Sequence, residues 1–163
     1  MPPTTFLTSH NTLSLATAGP DGTPHAAAVF YAVADDLTLY FLSEPKTLHA
    51  QHIGAGARVA GTIEANDQDW KSIRGLQLHG WAEPCSGIEE ERARAVYAAR
   101  FPFVARASDV SIATLAGPLS RARYYKLTPT WIRLIDNTLG FGHKEEWGVE
   151  ETQGGGDAGR GDR

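Results

Sequence analysis

The sequence predicts a mainly β protein, an antiparallel barrel with peripheral helices. Short apolar–polar alternating segments follow one another from residue 11 and are separated by dense turn clusters, the mark of strands joined by hairpins. Only one long stretch, from Ser86 to Arg100, has a clear helical pattern. The strands also mix small, aromatic and branched side chains on both faces, which suits a closed meander better than a parallel sheet.

Leu13 and Leu15 alternate with Ser14 and Ala16, giving a first strand over Asn11 to Thr17. Gly19-Pro20-Asp21-Gly22-Thr23-Pro24 is a turn, with Asp-Gly its hairpin signal. The second strand runs from His25 to Val33, and the third from Leu37 to Ser43. The pattern then breaks through Pro45, Lys46 and Thr47, and Leu48 and Ile53 resume at a spacing that suits a short helix. Ala57 to Glu64 is a fourth strand, and Ile73 to Ala82 a fifth. Ser86-Gly87-Ile88-Glu89 has the form of a capping box and opens the helix that Pro102 ends. A weaker helix is expected from Ser108 to Ala116, stopping at Gly117-Pro118. Two strands follow, Ala122 to Leu127 and Thr130 to Asp136, separated by Thr128-Pro129; Asn137 to Trp147 reads as irregular.

A length of 163 residues allows one domain with a proper core, over residues 1–150, and the Gly-rich tail 151–163 is too polar to order itself. With 42% hydrophobic and 21% charged residues the composition is that of a globular protein. A net charge of −4 gives no general attraction to nucleic acid. No apolar run approaches the ~18 residues of a membrane span, and Met1 to Thr5 lacks the blocks of a secretion signal, so a cytoplasmic location is expected. Cys85 is the only cysteine, which excludes an intrachain disulfide and a cysteine-based zinc site.

The stretch Ser43-Glu44-Pro45-Lys46-Thr47 gathers hydroxyls, an ammonium and the start of a helix, a chemical seat for a phosphate. The same residues also read as ordinary caps with a solvated lysine. Ala26, Ala27 and Ala28 leave room for a planar ligand against the second strand, or simply pack closely. Gln77, inside the fifth strand, either meets a ring edge or points to water. His49 and His52 stand three apart, a metal spacing that no carboxylate cluster completes. His10, His25 and His79 have no nucleophile partner in sequence, and Gly-x-Ser-x-Gly, Gly-x-Gly-x-x-Gly and Walker motifs are absent. Phe141, His143, Lys144 and Trp147 suit a loop that closes over a ligand or docks on a partner subunit.

The ordered set Leu15-Ala16-Thr17, Asp21-Gly22-x-Pro24-His25, Leu39-Tyr40-Phe41-Leu42-Ser43-x-x-Lys46-Thr47 and Arg74-Gly75-Leu76-Gln77-Leu78-x-Gly80 resembles the FMN-binding split barrel of the pyridoxamine 5'-phosphate oxidase-like superfamily. Lys126 to Asn137, with Phe141-Gly142-His143-Lys144 after it, resembles its YhbP-like branch. The resemblance implies a six-stranded antiparallel split β-barrel that forms a homodimer with FMN in grooves at the interface. Ser43, Lys46 and Thr47, next to Leu42, would take the phosphate. The backbone of Ala27, Ala28 and Val29 would meet the isoalloxazine ring, Arg74 and Gln77 would lie near the cofactor, and Trp131 would reach it from the partner chain. The implied activity is flavin-dependent oxidation or reduction of a small substrate by hydride exchange at flavin N5. No Arg-x-His substrate motif follows Arg121, and the paired basic phosphate residues are reduced to Lys46 and Thr47, which speaks against true pyridoxamine phosphate oxidation. The alternative is a non-enzymatic flavin, deazaflavin or haem binder, for which His49 and His52 would be the haem residues.

Overall fold

The computed structural model describes residues 2–65, 69–105 and 113–148. In chain order it contains α1 (Pro3–Ser9), β1 (Thr12–Ala18), β2 (Pro24–Val33), β3 (Leu39–Ser43), α2 (Leu48–Ile53), β4 (Ala57–Glu64), β5 (Arg74–Pro84), α3 (Ile88–Arg100), α4 (Pro102–Ala105), α5 (Ala113–Arg121), β6 (Arg123–Asp136), a 3-10 turn (Asn137–Leu139) and β7 (Lys144–Gly148). The strands form one antiparallel sheet in the order β3-β2-β1-β4-β5-β6-β7, and a further β3–β6 pairing closes six of them into a barrel.

The split in the barrel lies in β6. Residues Arg123 to Leu127 pair with β3, and Trp131 to Ile135 pair with β7. Between them Pro129 faces no strand on that edge, so its missing N–H costs no ladder bond there. This is why Thr128-Pro129, expected to divide this region into separate strands, sits inside one continuous strand. On the other edge β5 pairs with β6 throughout, with a bulge between His79 and Gly80.

Alternation fixes which side of each strand is inside. In β1, Leu13 and Leu15 are fully buried while Thr12, Ser14, Ala16 and Ala18 are exposed. Leu39, Phe41, Ile63, Leu76, Leu78 and Leu127 fill the barrel with them, and Phe6 and Leu7 of α1 join that core. Tyr31 pins α1 in place by donating its hydroxyl to the Leu7 carbonyl at 2.7 Å. A second cluster packs α3, through Ala93, Tyr97 and Phe101, on Ala32, Tyr40 and Tyr124.

Several expected details differ. Helix α1 was not foreseen. The Ser86–Glu89 capping box does not form: the N-cap of α3 is Gly87, with no side-chain cap bond. Helix α5 runs through Gly117-Pro118 instead of stopping there. The segment after Asn137, expected to be irregular, supplies β7. The expected tail 151–163 and some of the Ser108–Ala116 helix lie outside the described residues.

Candidate functional site

β3 ends at Ser43 and the chain turns into α2 with the Thr47 amide donating to the Glu44 carbonyl. Thr47 is the N-cap of α2 but makes no side-chain cap bond. Its hydroxyl donates instead to the Glu44 carbonyl at 2.9 Å, which ties the turn to itself. With that proton committed, Thr47 Oγ1 accepts from Ser43 at 3.0 Å, and Ser43 Oγ accepts from His49 Nε2 at 2.6 Å. The series His49, Ser43, Thr47, Glu44 carbonyl gives every contact a donor and sets His49 as the Nε2–H tautomer.

Three imidazoles converge here. The His25 ring, from β2, stacks parallel to His49 at 6.3 Å, and His52 meets His25 edge-on at 5.9 Å. His52 Nδ1 lies 3.0 Å from the hydroxyl of Thr17, the residue paired with His25 in the β1–β2 register. Burial holds His49 below the ordinary imidazole pKa, and the neighbouring His25 and His52 push it the same way. The Asp21 carboxylate stands near His52, and Lys46 and Arg121 both pair with Glu44, at 2.9 and 3.2 Å. They keep the Glu44 carboxyl ionised below its usual range, Lys46 first and Arg121 next. Lys46 is 76% exposed, so it can swing between Glu44 and an incoming anion without leaving a buried charge bare.

The sequence-predicted residues fall into two groups. Ser43, Lys46 and Thr47 come together at the barrel end where α2 sits, with Leu42 on the preceding strand position. Arg74 and Gln77 line a separate cavity of about 430 Å³ with Thr62 and Ile135. Arg74 pairs with Asp136 at 3.2 Å. Burial would raise Asp136, but the Thr138 hydroxyl and amide, with Arg74, hold it below the usual carboxylate range. Arg74 stands seven residues along β5 from Trp81, the level at which the chain re-enters from α2, or about 23 Å at strand rise. Within one chain the two groups do not meet. Alternation also separates the β2 trio: Ala28 points outward, while Ala27 and Val29 turn to the barrel side. Trp131 is on the outer face, its ring stacked on His79 at 4.9 Å and covered by the Arg133 guanidinium at 4.8 Å.

The outer face has a regular composition. Pairing aligns Ala28, Ser14, Thr62 and Gln77 in one row, and Ala26, Ala16, Ala60 and His79 in the next. This area of the sheet is clad in small side chains. The His49 and His52 pair was read from sequence, but the arrival of His25 beside them was missed because β2 is remote from α2 in the chain. The available signal was that β1–β2 alternation sets His25 opposite Thr17.

The closed six-stranded barrel with a polar, imidazole-rich seat at one end defines a split-barrel protein. The family model described as pyridoxamine 5'-phosphate oxidase matches residues 4–136, and the chain belongs to that family. Among curated proteins it is 39% identical over 128 residues to the UPF0306 protein YhbP of Escherichia coli, covering 78% of each chain, which places it in that branch. A conserved hypothetical protein of Mycobacterium tuberculosis, Rv2991, shares the fold at a TM-score of 0.66 and 26% identity, over 85% of this chain and 86% of that one. A structure described as a heme binding protein from Mycobacterium smegmatis gives 0.64 at 20% identity, over 86% and 54% of the two chains, a likeness of fold alone. No helix among the described residues is long and apolar enough to cross a membrane.

Proposed function

We propose that the protein binds FMN in grooves of a homodimer and serves as a flavin-dependent oxidoreductase for a small substrate, distinct from pyridoxamine phosphate oxidation. The observation that carries this is the convergence of Ser43, Lys46 and Thr47 with three imidazoles at one end of the barrel. The ammonium of Lys46 is free to change partner, and the Ser43 and Thr47 hydroxyls beside it would turn their protons from one another and the Glu44 carbonyl to an incoming phosphate. Lys46 supplies the charge on leaving Glu44, while His49 holds Ser43 in place.

The separation of the two residue groups supports the homodimer. Arg74, Gln77 and Trp131 cannot complete a groove over Lys46 in the same chain, whereas a second copy laid on the small-residue outer face can bring its own set across. Interfaces favour surfaces flanked by aromatic anchors, here Trp131 and Trp81. When bound, FMN would supply hydride exchange at N5; the chain need only hold the ring, exclude water and admit substrate.

The haem reading draws support from the Mycobacterium smegmatis neighbour's description. Against it, His49 is buried with its Nε2 committed to Ser43, which leaves His52, held at Nδ1 by Thr17, as the one ring of the pair with Nε2 open. The absorption spectrum of the protein as purified, and after incubation with FMN or haemin, decides between them. Flavin bands retained through gel filtration support the proposal; a Soret band, or no retained flavin, overturns it.

A further inference from the structure

On the outer face, at the level where the chain re-enters the sheet from α2, lies a cavity of about 710 Å³ lined by Arg58, Val59, His79, Gly80, Trp81 and Thr130. Its volume is in the range of small-molecule sites. Its walls are fixed by the backbone. Trp81, 45% exposed, lies against Gly56 so closely that a Cβ there would come within 2.6 Å of the indole. The indole N–H is held at 3.3 Å by Glu83, whose charge is met by Lys126 at 3.1 Å. His79 is stacked on Trp131, and the bulge puts Thr130 beside it: the Thr130 hydroxyl donates to the His79 carbonyl and lies 3.3 Å from His79 Nδ1.

The remaining polar group is Arg58. It pairs across the ladder with Trp81, is exposed, and makes no ion pair among the described residues. A preset indole face beside an uncommitted guanidinium matches a flat ring that carries an acidic group: the ring covers the indole and the acid takes the fork of the arginine.

We propose that this cavity is a binding site for planar aromatic carboxylates. Arg58 pairs with the carboxylate, Trp81 carries the ring, and His79 with Thr130 forms the polar edge. None of its residues belongs to the Ser43–Lys46–Thr47 seat; His79 and Trp81 lie on the face that the homodimer would use, so the proposal rests on that interface leaving the cavity open at its margin.

The test is calorimetric titration of the full chain with 2-naphthoate and with its uncharged counterpart 2-naphthalenemethanol, in the wild type, Arg58→Gln and Trp81→Ala. The acid is expected to bind roughly 10- to 100-fold tighter than the alcohol, the span of one hydrogen bond to a charged group. Arg58→Gln should bring the acid down to the alcohol's affinity, and Trp81→Ala should weaken both ligands. Arg58 is exposed, so Arg58→Gln keeps the test valid even if Trp81→Ala fails to fold. Equal affinity for acid and alcohol, an unchanged affinity in Arg58→Gln, or no binding of either probe would overturn the proposal. FMN titration of Arg58→Gln runs alongside, and retained FMN affinity there separates failure of this site from failure of the flavin seat.

Discussion

Replacing Gly80 by alanine tests the register of the barrel at its bulge. A Cβ at Gly80 would stand 2.1 Å from the Thr128 carbonyl oxygen and 2.8 Å from Pro129 Cα, both backbone atoms that no rotamer change can move. Ordinary contacts begin at about 3.5 Å, so β5 and β6 would have to separate by roughly 1.4 Å at this point. Overpacking of this kind costs about 1–3 kcal/mol, and the rigid partner puts Gly80→Ala at the upper end. For a chain of this size that lowers the melting temperature by roughly 6–12 °C. Gly75→Ala is the control, on the same strand, where the nearest atom is the Ile63 carbonyl at 3.8 Å. Thermal unfolding by circular dichroism measures both. If Gly80→Ala melts with Gly75→Ala, the bulge and the close approach of the two strands are wrong.

Burial keeps His49 neutral where an unfolded chain would take up a proton, so its contribution to stability is intact above the ordinary imidazole value of 6.5 and is lost as pH falls below it. Urea midpoints should therefore fall between pH 7 and 5, with a shallower fall in His49→Gln; equal slopes would contradict the buried assignment. Tyr31→Phe removes the hydroxyl that satisfies the Leu7 carbonyl and should cost about 1–2 kcal/mol in urea unfolding, with faster proteolysis at α1; an unchanged midpoint would detach α1 from the barrel. The Cys85 thiol is pushed up to about 12, first by burial and then by Glu89, so maleimide should label it at pH 8 only after denaturation. Fast native labelling would show an exposed thiol instead.

The elements of the fold that could be read beforehand are those where burial writes itself as alternation. Leu13 and Leu15 in β1, and Leu76 and Leu78 in β5, mark strands because one face of each meets the core. Helix α1 escaped notice because seven residues with two adjacent apolar side chains, Phe6 and Leu7, hold too little period to see. Strand β7 escaped because Lys144, Glu145 and Glu146 pair at a sheet edge facing water and have no apolar face to reveal them. Pro129 misled because proline normally ends a strand, and only the third dimension shows that β6 changes partner there. The Ser43-Lys46-Thr47 turn was legible as a cluster of donors. His49 and His52 were legible as a pair, but His25 beside them was not, since β2 and α2 meet only when the barrel closes.

The central claim is that the turn leaving β3 grips a phosphate. Parallel titrations with FMN and with riboflavin, which lacks that group, followed by quenching of flavin fluorescence in the wild type and Lys46→Ala, test it most directly. The account predicts that FMN binds much more tightly than riboflavin, and that Lys46→Ala costs FMN about 1.5–3 kcal/mol while leaving riboflavin unaffected. Equal binding of the two flavins, or an FMN affinity indifferent to Lys46, would contradict it.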